Sequence, residues 1–341
     1  MSIELGYFVN PEYPSTYPVH QAIREQRHLV ALAADLGMTS VFVGEHYSHG
    51  DFAWLPPLML IGGIHDAAPG MRYGTAVLAA PLHNPVVLAE QAAYLDAATG
   101  GNFVLGLAAG WNPNEFAALG EPLAGRGARL EQSITLMRSL WAGERVKVGE
   151  PETEIRLGLR PAQGGPHVWL GGSSARALDR AARLADAWVI SSHVPASAAL
   201  EQVDLYRERL AAQGRPMPSV RPGLRNIYVG RTHEEAVTRC APFLTASYAM
   251  FDEWGLFKQV LDDHRPELDF ERAAERAIIG SVEEVAEQLI EFVRASDLNL
   301  LLARSQWLGI PHAEIEHSMG LLATEVMPLV NSALAGQGAS T

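Results

Sequence analysis

Residues 73–107 read YGTAVLAAPLHNPVVLAEQAAYLDAATGGNFVLGL, and this stretch contains one complete structural repeat. Residues 73–78 form an apolar, partly β-branched run, which predicts a strand. Residues 85–98 open with proline and end just before a glycine pair, as expected for the start and stop of a helix. Residues 103–107 predict the next strand. Two strands joined by a helix are expected to pair in parallel, because a parallel pair needs a long crossover.

The same alternation continues on both sides of this unit. Helix-like segments separate nearly all of eight strand-like segments, which predicts one (β/α)8 barrel domain over residues 1–341; an open doubly wound sheet is the alternative. Two insertions interrupt the repeat. We expect a short hairpin in residues 142–163, and an irregular helical segment that can supply a lid in residues 233–280. The predicted strands are residues 3–9, 39–43, 73–78, 103–107, 167–170, 187–191, 221–229 and 298–303.

The composition of the chain bears on binding to nucleic acid, membranes and metals, and on cellular location. The 341 residues are 48% hydrophobic and carry a formal net charge of −13, so neither nucleic acid nor an anionic membrane is an expected partner. The single cysteine, Cys240, cannot form an internal disulfide, and no Cys/His group has zinc-like spacing, so we expect no metal site. Without a signal-like N-terminus or an apolar run of about 18 residues, the expected location is the cytoplasm.

In a barrel, the loops that follow the strands carry the chemistry. After the second predicted strand, residues 44–49 place His46 where it can act as a general acid or base; a polar surface loop is the alternative. After the third, residues 75–85 contain His83 and many small residues that let the backbone approach a flat ring closely. Taken alone, the small residues are better explained by simple core packing.

Two further loops pair an aromatic residue with small or charged neighbours. Residues 108–116 place Trp111 after small residues, which suits either a pocket wall or ordinary packing. Arg304 and Trp307 follow the eighth predicted strand and suit an anionic or aromatic ligand. The alternative is an arginine paired with an acidic neighbour beside a packed tryptophan.

Gly171-Gly172-Ser173-Ser174 is the loop with the clearest physical mechanism. The glycines allow a sharp turn, and the helix that starts near Ala175 presents free amides at its N-terminus. With two hydroxyl groups added, this loop suits a phosphate; Ser174 as a plain helix N-cap is the alternative. The sequence contains no Gly-x-Gly-x-x-Gly strand-to-helix pattern, no P-loop and no Gly-x-Ser-x-Gly elbow.

Taken together, these segments resemble the bacterial luciferase-like, flavin-dependent monooxygenases. The resemblance runs from residue 5 to about residue 328 and is strongest over residues 74–85. Each segment is unspecific alone, but their joint order and spacing is specific. The other matching segments are residues 41–46, 89–91, 95–96, 99–103, 110–116, 171–174, 181–183, 186–188 and 306–307.

The resemblance implies a (β/α)8 barrel, often dimeric, that binds FMN or the related deazaflavin coenzyme. It places His46 beside the flavin ring, with His83 and Arg304 as further catalytic candidates at strand ends. It also implies a non-proline cis peptide beneath the ring, between Ala76 and Val77. The other implied cofactor-binding residues are Gly172, Ser173 and Ser174 at the phosphate, and Trp188 and Ser191 near the flavin.

The sequence departs from the family pattern at three positions. Ala109 occupies the place where luciferase has an arginine for the phosphate, so Arg176 or backbone amides would compensate the charge. Asn102 stands where many members have arginine after the glycine pair. Tyr47 replaces a second histidine of luciferase, which argues against light emission.

The resemblance implies a two-component monooxygenase that acts on a small organic substrate with O2. Reduced FMN is expected as its cosubstrate, delivered by a separate NAD(P)H-dependent flavin reductase, because no segment for binding NADH is visible. Two alternatives remain: a dehydrogenase or reductase that uses the deazaflavin coenzyme, and a catalytically silent flavin-binding protein. The expected oligomer is a homodimer.

Overall fold

The computed structural model describes residues 2–47, 52–265 and 268–336, except for the side chains of residues 259 and 260. The segments have been numbered in chain order. The strands are β1 (Glu4–Val9), β2 (Glu12–Pro14), β3 (Ser40–Val43), β4 (Phe52–Trp54), β5 (Arg72–Thr75), β6 (Leu78–Ala79), β7 (Phe103–Ala108), β8 (Val146–Val148), β9 (Thr153–Ile155), β10 (His167–Gly171), β11 (Ala187–Val189), β12 (Pro222–Val229), β13 (Ala277–Gly280) and β14 (Leu300–Arg304).

Helices connect most of these strands, and several have the boundaries that the sequence predicts. Asn84 caps α3 by accepting hydrogen bonds from the amides of Val86 and Val87. Ser281 and Glu284 form the predicted capping box of α10. The α-helices are α1 (Val19–Asp35), α2 (Pro57–Ile64), α3 (Pro85–Ala98), α4 (Pro113–Ala118), α5 (Arg126–Trp141), α6 (Ala175–Leu184), α7 (Ala196–Ala212), α8 (His233–Glu253), α9 (Phe270–Ala274), α10 (Val282–Ser296), α11 (His312–Leu321) and α12 (Met327–Ala335).

The main sheet is parallel and has the order β11-β10-β7-β5-β3-β1-β14-β12-β13, with β6 paired to β7. A parallel bridge joins Ile190, just after β11, to Gly223 in β12. The Ile190 amide donates to the Pro222 carbonyl at 3.1 Å, and the Leu224 amide donates to the Ile190 carbonyl at 2.9 Å. Because the bridge joins the first and eighth strands in this order, the sheet is curled. Each of the eight predicted strands overlaps a strand of this sheet, and the predicted strand at residues 73–78 overlaps both β5 and β6.

The two insertions differ in how closely they follow the prediction. Residues 142–163 contain the expected hairpin, formed by β8 and β9. Residues 233–280 contain helices α8 and α9, a π-helix at Leu256–Val260, and strand β13, which was not predicted. The antiparallel pair β2–β4 was also not predicted. These added strands have only three or four residues, too few to show a reliable alternation.

A compact apolar cluster fills the inside of the curled sheet. The Phe42 and Trp169 rings stack there with centroids 5.0 Å apart. A Cβ atom at Gly74 would lie 2.5 Å from the Phe42 ring, so glycine makes room for this aromatic pair. The buried members are Phe8, Phe42, Val104, Trp169, Ala187, Val189, Leu224, Leu300 and Leu302. Within the described residues, no helix is long and apolar enough to cross a membrane.

Candidate active site

A cavity of about 200 Å³ opens at the carboxyl ends of the parallel strands, where the sequence predicts the site. Its walls come from loops far apart in the chain. Most of the wall is apolar, and a few polar side chains point into it. The lining residues used below are Asn10, Glu45, His46, Trp54, Ala76, Val77, Gly110, Trp111, Glu115, Gly171, Gly172, Ser173, Ser191, His193, Leu224, Phe251, Leu256, Leu261 and Arg304.

His46 lies in this cavity wall and is held by a buried carboxylate. Its Nδ1 atom is 2.8 Å from Oε1 of Glu115, and the Tyr47 amide donates to the same oxygen at 3.1 Å. Glu115 is only 5% exposed and follows β7, whereas His46 follows β3. The carboxylate therefore sets the orientation of the imidazole and favours a proton on Nδ1.

Aromatic rings surround the His46 imidazole. Trp54 lies edge-on at 4.7 Å between ring centroids, and Trp254 lies at 5.1 Å. Phe251 and Trp111 lie at 5.7 and 6.3 Å. Phe251 and Trp254 come from the C-terminal end of α8, so part of the predicted lid segment covers this histidine. Such an enclosure limits the access of water to the imidazole.

His83 is placed beside the cavity wall and not among the described residues that line it. Its Nε2 atom lies 2.9 Å from Oε1 of Glu45 and 3.2 Å from the Tyr47 hydroxyl. Glu45 also accepts from the Ala79 amide at 2.9 Å. Burial and the neighbouring carboxylate of Glu45 raise the pKa of Tyr47 well above its usual value. His83 thus helps to hold Glu45, which does line the cavity. Ser48 and His49, in the same predicted loop, lie outside the described residues.

The predicted phosphate loop follows β10 and leads into α6. Gly172 has a φ of +126°, a conformation that L-residues with a side chain rarely adopt, and a Cβ there would lie 2.7 Å from the Ala177 Cβ. Ser174 caps α6 by accepting from the Ala177 amide at 3.3 Å. Ser173 lines the cavity. Arg176 is exposed on the first turn of this ten-residue helix.

Trp188 is placed behind this loop and not in the described cavity lining. It is 4% exposed, its indole N–H donates to the Gly172 carbonyl at 2.9 Å, and its ring packs on Tyr206 at 5.3 Å. Ala109 is also outside that lining and packs against the main hydrophobic core. The position of Trp188 therefore supports the conformation of Gly172.

Small residues form the wall opposite the aromatic side. The Ala76–Val77 peptide is cis, as the resemblance implies, and both residues line the cavity. The Thr75 hydroxyl donates to the Gly106 carbonyl at 2.8 Å and accepts from the Gly106 amide at 2.9 Å. A Cβ at Gly106 would lie 1.8 Å from the Thr75 carbonyl oxygen. Glycine is therefore required where β7 passes this turn.

Arg304 reaches the cavity from the end of β14 and is 4% exposed. One of its Nη atoms lies 3.3 Å from the Ser247 hydroxyl and 3.5 Å from the Glu12 carboxylate, whose side chain is fully buried. Burial lowers the pKa of the Arg304 guanidinium, but an arginine stays protonated at neutral pH. The predicted alternative, an arginine paired with an acidic neighbour, is also present.

The loop after β11 brings Ser191 into the cavity lining, as predicted, together with His193, which the sequence analysis did not select. The Ser191 hydroxyl accepts from the His193 amide at 3.2 Å. Arg225, which is 2% exposed, donates to the carbonyls of Ser191 at 2.8 Å and Val194 at 3.2 Å. The buried arginine thus fixes the backbone on both sides of His193.

Glu115 and His193 are the main residues of the site that sequence reasoning missed. Glu115 lies in residues 108–116, after β7, where the sequence points to Trp111 and small residues. His193 lies two residues beyond the end of its predicted strand. A strand-end loop taken two residues further would include His193, whereas Glu115 already lies within residues 108–116 and carries no local signal that it contacts His46. The described residues contain no group of three or more His, Cys, Asp or Glu side chains that is suited to a metal ion.

The donors and walls of the cavity fit a flat ring that carries a phosphate. The Ser173 hydroxyl and the amides of Ala175 and Arg176 at the start of α6, which have no intrahelical acceptor, can hold a phosphate. The small side chains of Ala76 and Val77 leave room for a ring at the cis peptide. The residues present therefore suit the phosphate and the ring of FMN.

The chain belongs to a known family. Residues 3–298 match the family described as luciferase-like monooxygenase, which confirms the resemblance read from the sequence. This family match covers most of the chain, including every strand of the sheet except β14.

Curated relatives match over part of their length. The 4-hydroxyprotoasukamycin monooxygenase of Streptomyces nodosus subsp. asukaensis is 30% identical over 168 residues, 47% of this chain and 44% of that protein. The FMNH2-dependent dimethylsulfone monooxygenase of Pseudomonas putida is 30% identical over 179 residues, 50% of this chain and 47% of the relative. A phthiodiolone/phenolphthiodiolone dimycocerosates ketoreductase of Mycobacterium tuberculosis is 27% identical over 66% of this chain and 60% of its own. The matches to the two monooxygenases thus span about half of each protein.

Solved structures share the fold over nearly the whole chain. The monooxygenase RslO1 from Streptomyces bottropensis has a TM-score of 0.80 at 21% identity, over 96% of this chain and 99% of its own. The oxygenating constituent of 3,6-diketocamphane monooxygenase from Pseudomonas putida, in complex with FMN, scores 0.78 at 18% identity over 96% and 99%. An F420-dependent secondary alcohol dehydrogenase scores 0.74 at 18% identity over 97% and 99%.

Proposed function

We propose that the protein is an FMN-dependent monooxygenase that uses reduced FMN and O2 to oxygenate a small organic substrate. One observation carries the proposal: the His46–Glu115 pair, enclosed by aromatic rings, shares a cavity with the phosphate-type loop at Gly172 and Ser173. Exclusion of water protects reactive species from side reactions, and an oriented imidazole can move a proton at the site. The FMNH2-dependent relatives support the same cofactor.

In this proposal, different residues bind the cofactor, move a proton and exclude water. Bound reduced FMN supplies the electrons that activate O2. Ser173, with the first-turn amides of α6, would hold the phosphate, and Trp188 would keep Gly172 in its left-handed conformation. Glu115 orients His46, so that Nε2, the ring nitrogen opposite the Glu115 contact, would hold or release a proton. Phe251 would help to exclude water.

A separate NAD(P)H-dependent flavin reductase is the partner that this proposal requires, because the sequence carries no nucleotide-binding fingerprint for NADH. Two structural expectations from the sequence belong to the same proposal. The Ile190–Gly223 bridge supports closure of the sheet into a complete (β/α)8 barrel. Exposed Met59, Val87 and Tyr94 on the adjoining helices α2 and α3 support a homodimer through that face.

The second candidate is a dehydrogenase or reductase that uses the deazaflavin coenzyme. The His46–Glu115 pair also suits the proton transfer that accompanies hydride transfer to or from a carbonyl carbon. The ketoreductase relative and the F420-dependent alcohol dehydrogenase fold support this candidate. A silent flavin-binding protein is disfavoured because His46 and Arg304 both line the cavity.

The test is a fluorescence titration of the purified protein with reduced FMN, oxidised FMN, riboflavin and the deazaflavin coenzyme. We expect reduced FMN to bind most tightly and riboflavin to bind more weakly, because riboflavin lacks the phosphate. Ser173→Asp should weaken FMN binding but leave riboflavin binding unchanged, since it places a like charge beside the phosphate. Ser332→Asp, on the exposed face of α12, is the matched control.

Three other outcomes would decide against parts of the proposal. Tighter binding of the deazaflavin coenzyme than of reduced FMN would favour the second candidate function, a dehydrogenase or reductase. Equal loss of FMN and riboflavin binding in Ser173→Asp would remove the phosphate assignment. Binding of reduced FMN without O2 uptake across a panel of ketones, sulfones and phenols would support the silent flavin-binding protein.

A further inference from the structure

One end of the cavity is polar, and the hydrogen-bonding groups there indicate which functional group the substrate has. His193 and Arg304 line that end, and both approach the Phe251 ring. The centroids of the His193 and Phe251 rings are 4.8 Å apart, and the Arg304 guanidinium carbon is 5.9 Å from the Phe251 centroid. The Phe251 ring therefore contacts both the Arg304 guanidinium and the His193 imidazole.

His193 has hydrogen-bonding capacity that the protein does not use. Its Nδ1 atom is buried and has no hydrogen-bond partner among the described residues. The ring is nevertheless held in place, because Arg276 donates to the His193 carbonyl at 3.0 Å and the His193 amide donates to Ser191. An unsatisfied buried polar atom at a cavity wall is costly unless a ligand completes its hydrogen bond.

The charges at this end favour an uncharged ligand. Burial, together with the positive charges of Arg304 and Arg276, lowers the pKa of His193 to about 3, so its imidazole is neutral at physiological pH. The positive charge of Arg304 is balanced by the fully buried carboxylate of Glu12. A carboxylate ligand would therefore bring an uncompensated negative charge close to Glu12, whereas a neutral oxygen would not.

Arg304 also has room for another acceptor. Its contacts with the Gln306 carbonyl, the Ser247 hydroxyl and the Glu12 carboxylate measure 3.4, 3.3 and 3.5 Å, all longer than the usual 2.9 Å of an N–H···O hydrogen bond. Arginine only donates, so the group it receives must be an acceptor. Leu224, Leu256 and Leu261 supply apolar wall to the same cavity.

We infer that the substrate of this site is a neutral carbonyl compound with an apolar skeleton, whose carbonyl oxygen accepts hydrogen bonds from His193 and Arg304. This inference rests on the proposed function, because it names the substrate class for the same cavity. The imidazole and the guanidinium hold the carbonyl group at one end, and the leucine and aromatic side chains contact the hydrocarbon.

The test uses three probes of equal ring size: cyclohexanone, methylenecyclohexane and cyclohexanecarboxylate. Binding to the protein without flavin is followed by the fluorescence of Trp54 and Trp111, which line the cavity. We expect cyclohexanone to bind about three- to tenfold more tightly than methylenecyclohexane, the value of one or two neutral hydrogen bonds. Cyclohexanecarboxylate should bind most weakly.

Variants of His193 test whether this residue causes the preference for the ketone over the hydrocarbon. His193→Leu should remove most of the preference for the ketone over the hydrocarbon, while hydrocarbon binding changes by less than about twofold. His193→Asn keeps a donor and should retain part of the preference. His28→Leu, at an exposed position on α1, is the matched control.

Tighter binding of the carboxylate than of the ketone in the native protein would overturn the inference, as would an equal ranking of all three probes. If His193→Leu does not fold, the affinities of the native protein and of His193→Asn for the three probes still test the inference. Because the assay contains no flavin, failure here is distinguishable from failure of FMN binding, which tests the proposed function separately.

Discussion

The Glu115 carboxylate lies 2.8 Å from Nδ1 of His46, although 69 positions separate the two residues in the chain. This contact joins the loop after β3 to the loop after β7 and places a buried negative charge behind the imidazole. His46 is thereby fixed in one orientation beside Trp54 and Trp111. The first prediction concerns this pair.

Glu115→Gln keeps the side-chain volume and a hydrogen-bond acceptor but removes the charge behind His46. We expect kcat to fall on the order of tenfold or more, while the Kd for reduced FMN changes by less than about twofold. Glu121→Gln, at an exposed site just after α4, is the control. An unchanged kcat would exclude Glu115 as a residue that positions His46.

Gly106→Ala tests the packing at the turn that carries the cis peptide. The added Cβ would lie 1.8 Å from the Thr75 carbonyl oxygen, so the backbone must shift. We expect the free energy of unfolding to fall by roughly 3 kcal/mol or more in urea denaturation. Gly63→Ala in α2 meets no atom within 4 Å and should be neutral or stabilising by up to about 1 kcal/mol. Similar stability of the two variants would show that β7 tolerates a side chain here.

Trp188→Phe removes the indole donor to the Gly172 carbonyl but keeps an aromatic ring against Tyr206. We expect FMN to bind about three- to tenfold more weakly, with riboflavin binding changed less, because the loss acts on the phosphate loop. Trp141→Phe is the control, since its indole N–H donates to the Ala89 carbonyl at 2.9 Å away from the cavity. Equal effects of both variants on FMN affinity would point to a general loss of stability.

Asp263 ties together the segment that follows the π-helix. Hydrogen bonds from Arg265, together with Arg272, hold the pKa of this carboxyl well below its usual value, and Arg276 contacts it at 2.9 Å. A carboxyl with a lower pKa in the folded protein stabilises the fold above about pH 4, and this contribution is lost as the pH falls further.

Asp263→Asn should therefore lower the free energy of unfolding at pH 7 by roughly 2 kcal/mol. The difference from the native protein should shrink by about 1 kcal/mol between pH 4 and pH 3, because the Asp263 carboxyl of the unfolded native chain takes up a proton over this range, whereas in the folded protein it stays ionised. Urea denaturation at several pH values measures this. The control is Asp262→Asn, whose side chain is 94% exposed. A difference that stays constant with pH would exclude titration of Asp263 as its cause.

Tyr94→Asp tests the proposed dimer face on α3. Tyr94 is 54% exposed, and a charge there should oppose burial against a second copy. Light scattering should show a dimer for the native protein and a lower mass for the variant. Leu329→Asp, on α12 with 46% exposure, should leave the mass unchanged. A native protein that is monomeric at micromolar concentration would contradict the proposed homodimer.

Much of the fold follows from local sequence patterns. The strand and helix of residues 73–98 are recognised from an apolar, partly β-branched run, from Pro85 and from the glycine pair at 100–101, because each of these acts on neighbouring residues. The same holds for the capping box at Ser281 and for the hairpin between β8 and β9. Strand β13 escaped prediction because four residues inside a helical region show no period of their own.

The site was predicted less completely. His46, Ser173 and Arg304 were selected because polar residues at strand ends suggest chemistry, and all three line the cavity. Trp188 was placed near the flavin, whereas the structure puts it behind Gly172. The side on which a strand residue points depends on register and curl, which the sequence does not show at a strand of three residues such as β11.

By itself, the sequence determined the repeat, the family resemblance and the loops in which chemistry resides, because each of these depends on residues close together in the chain. Only the tertiary structure decided that Glu115 supports His46, that His83 supports Glu45, and that His193 faces the cavity. The physical reason is that a curled parallel sheet brings the carboxyl ends of distant strands to one rim. Contacts across that rim depend on strand order and twist, which no short stretch of sequence encodes.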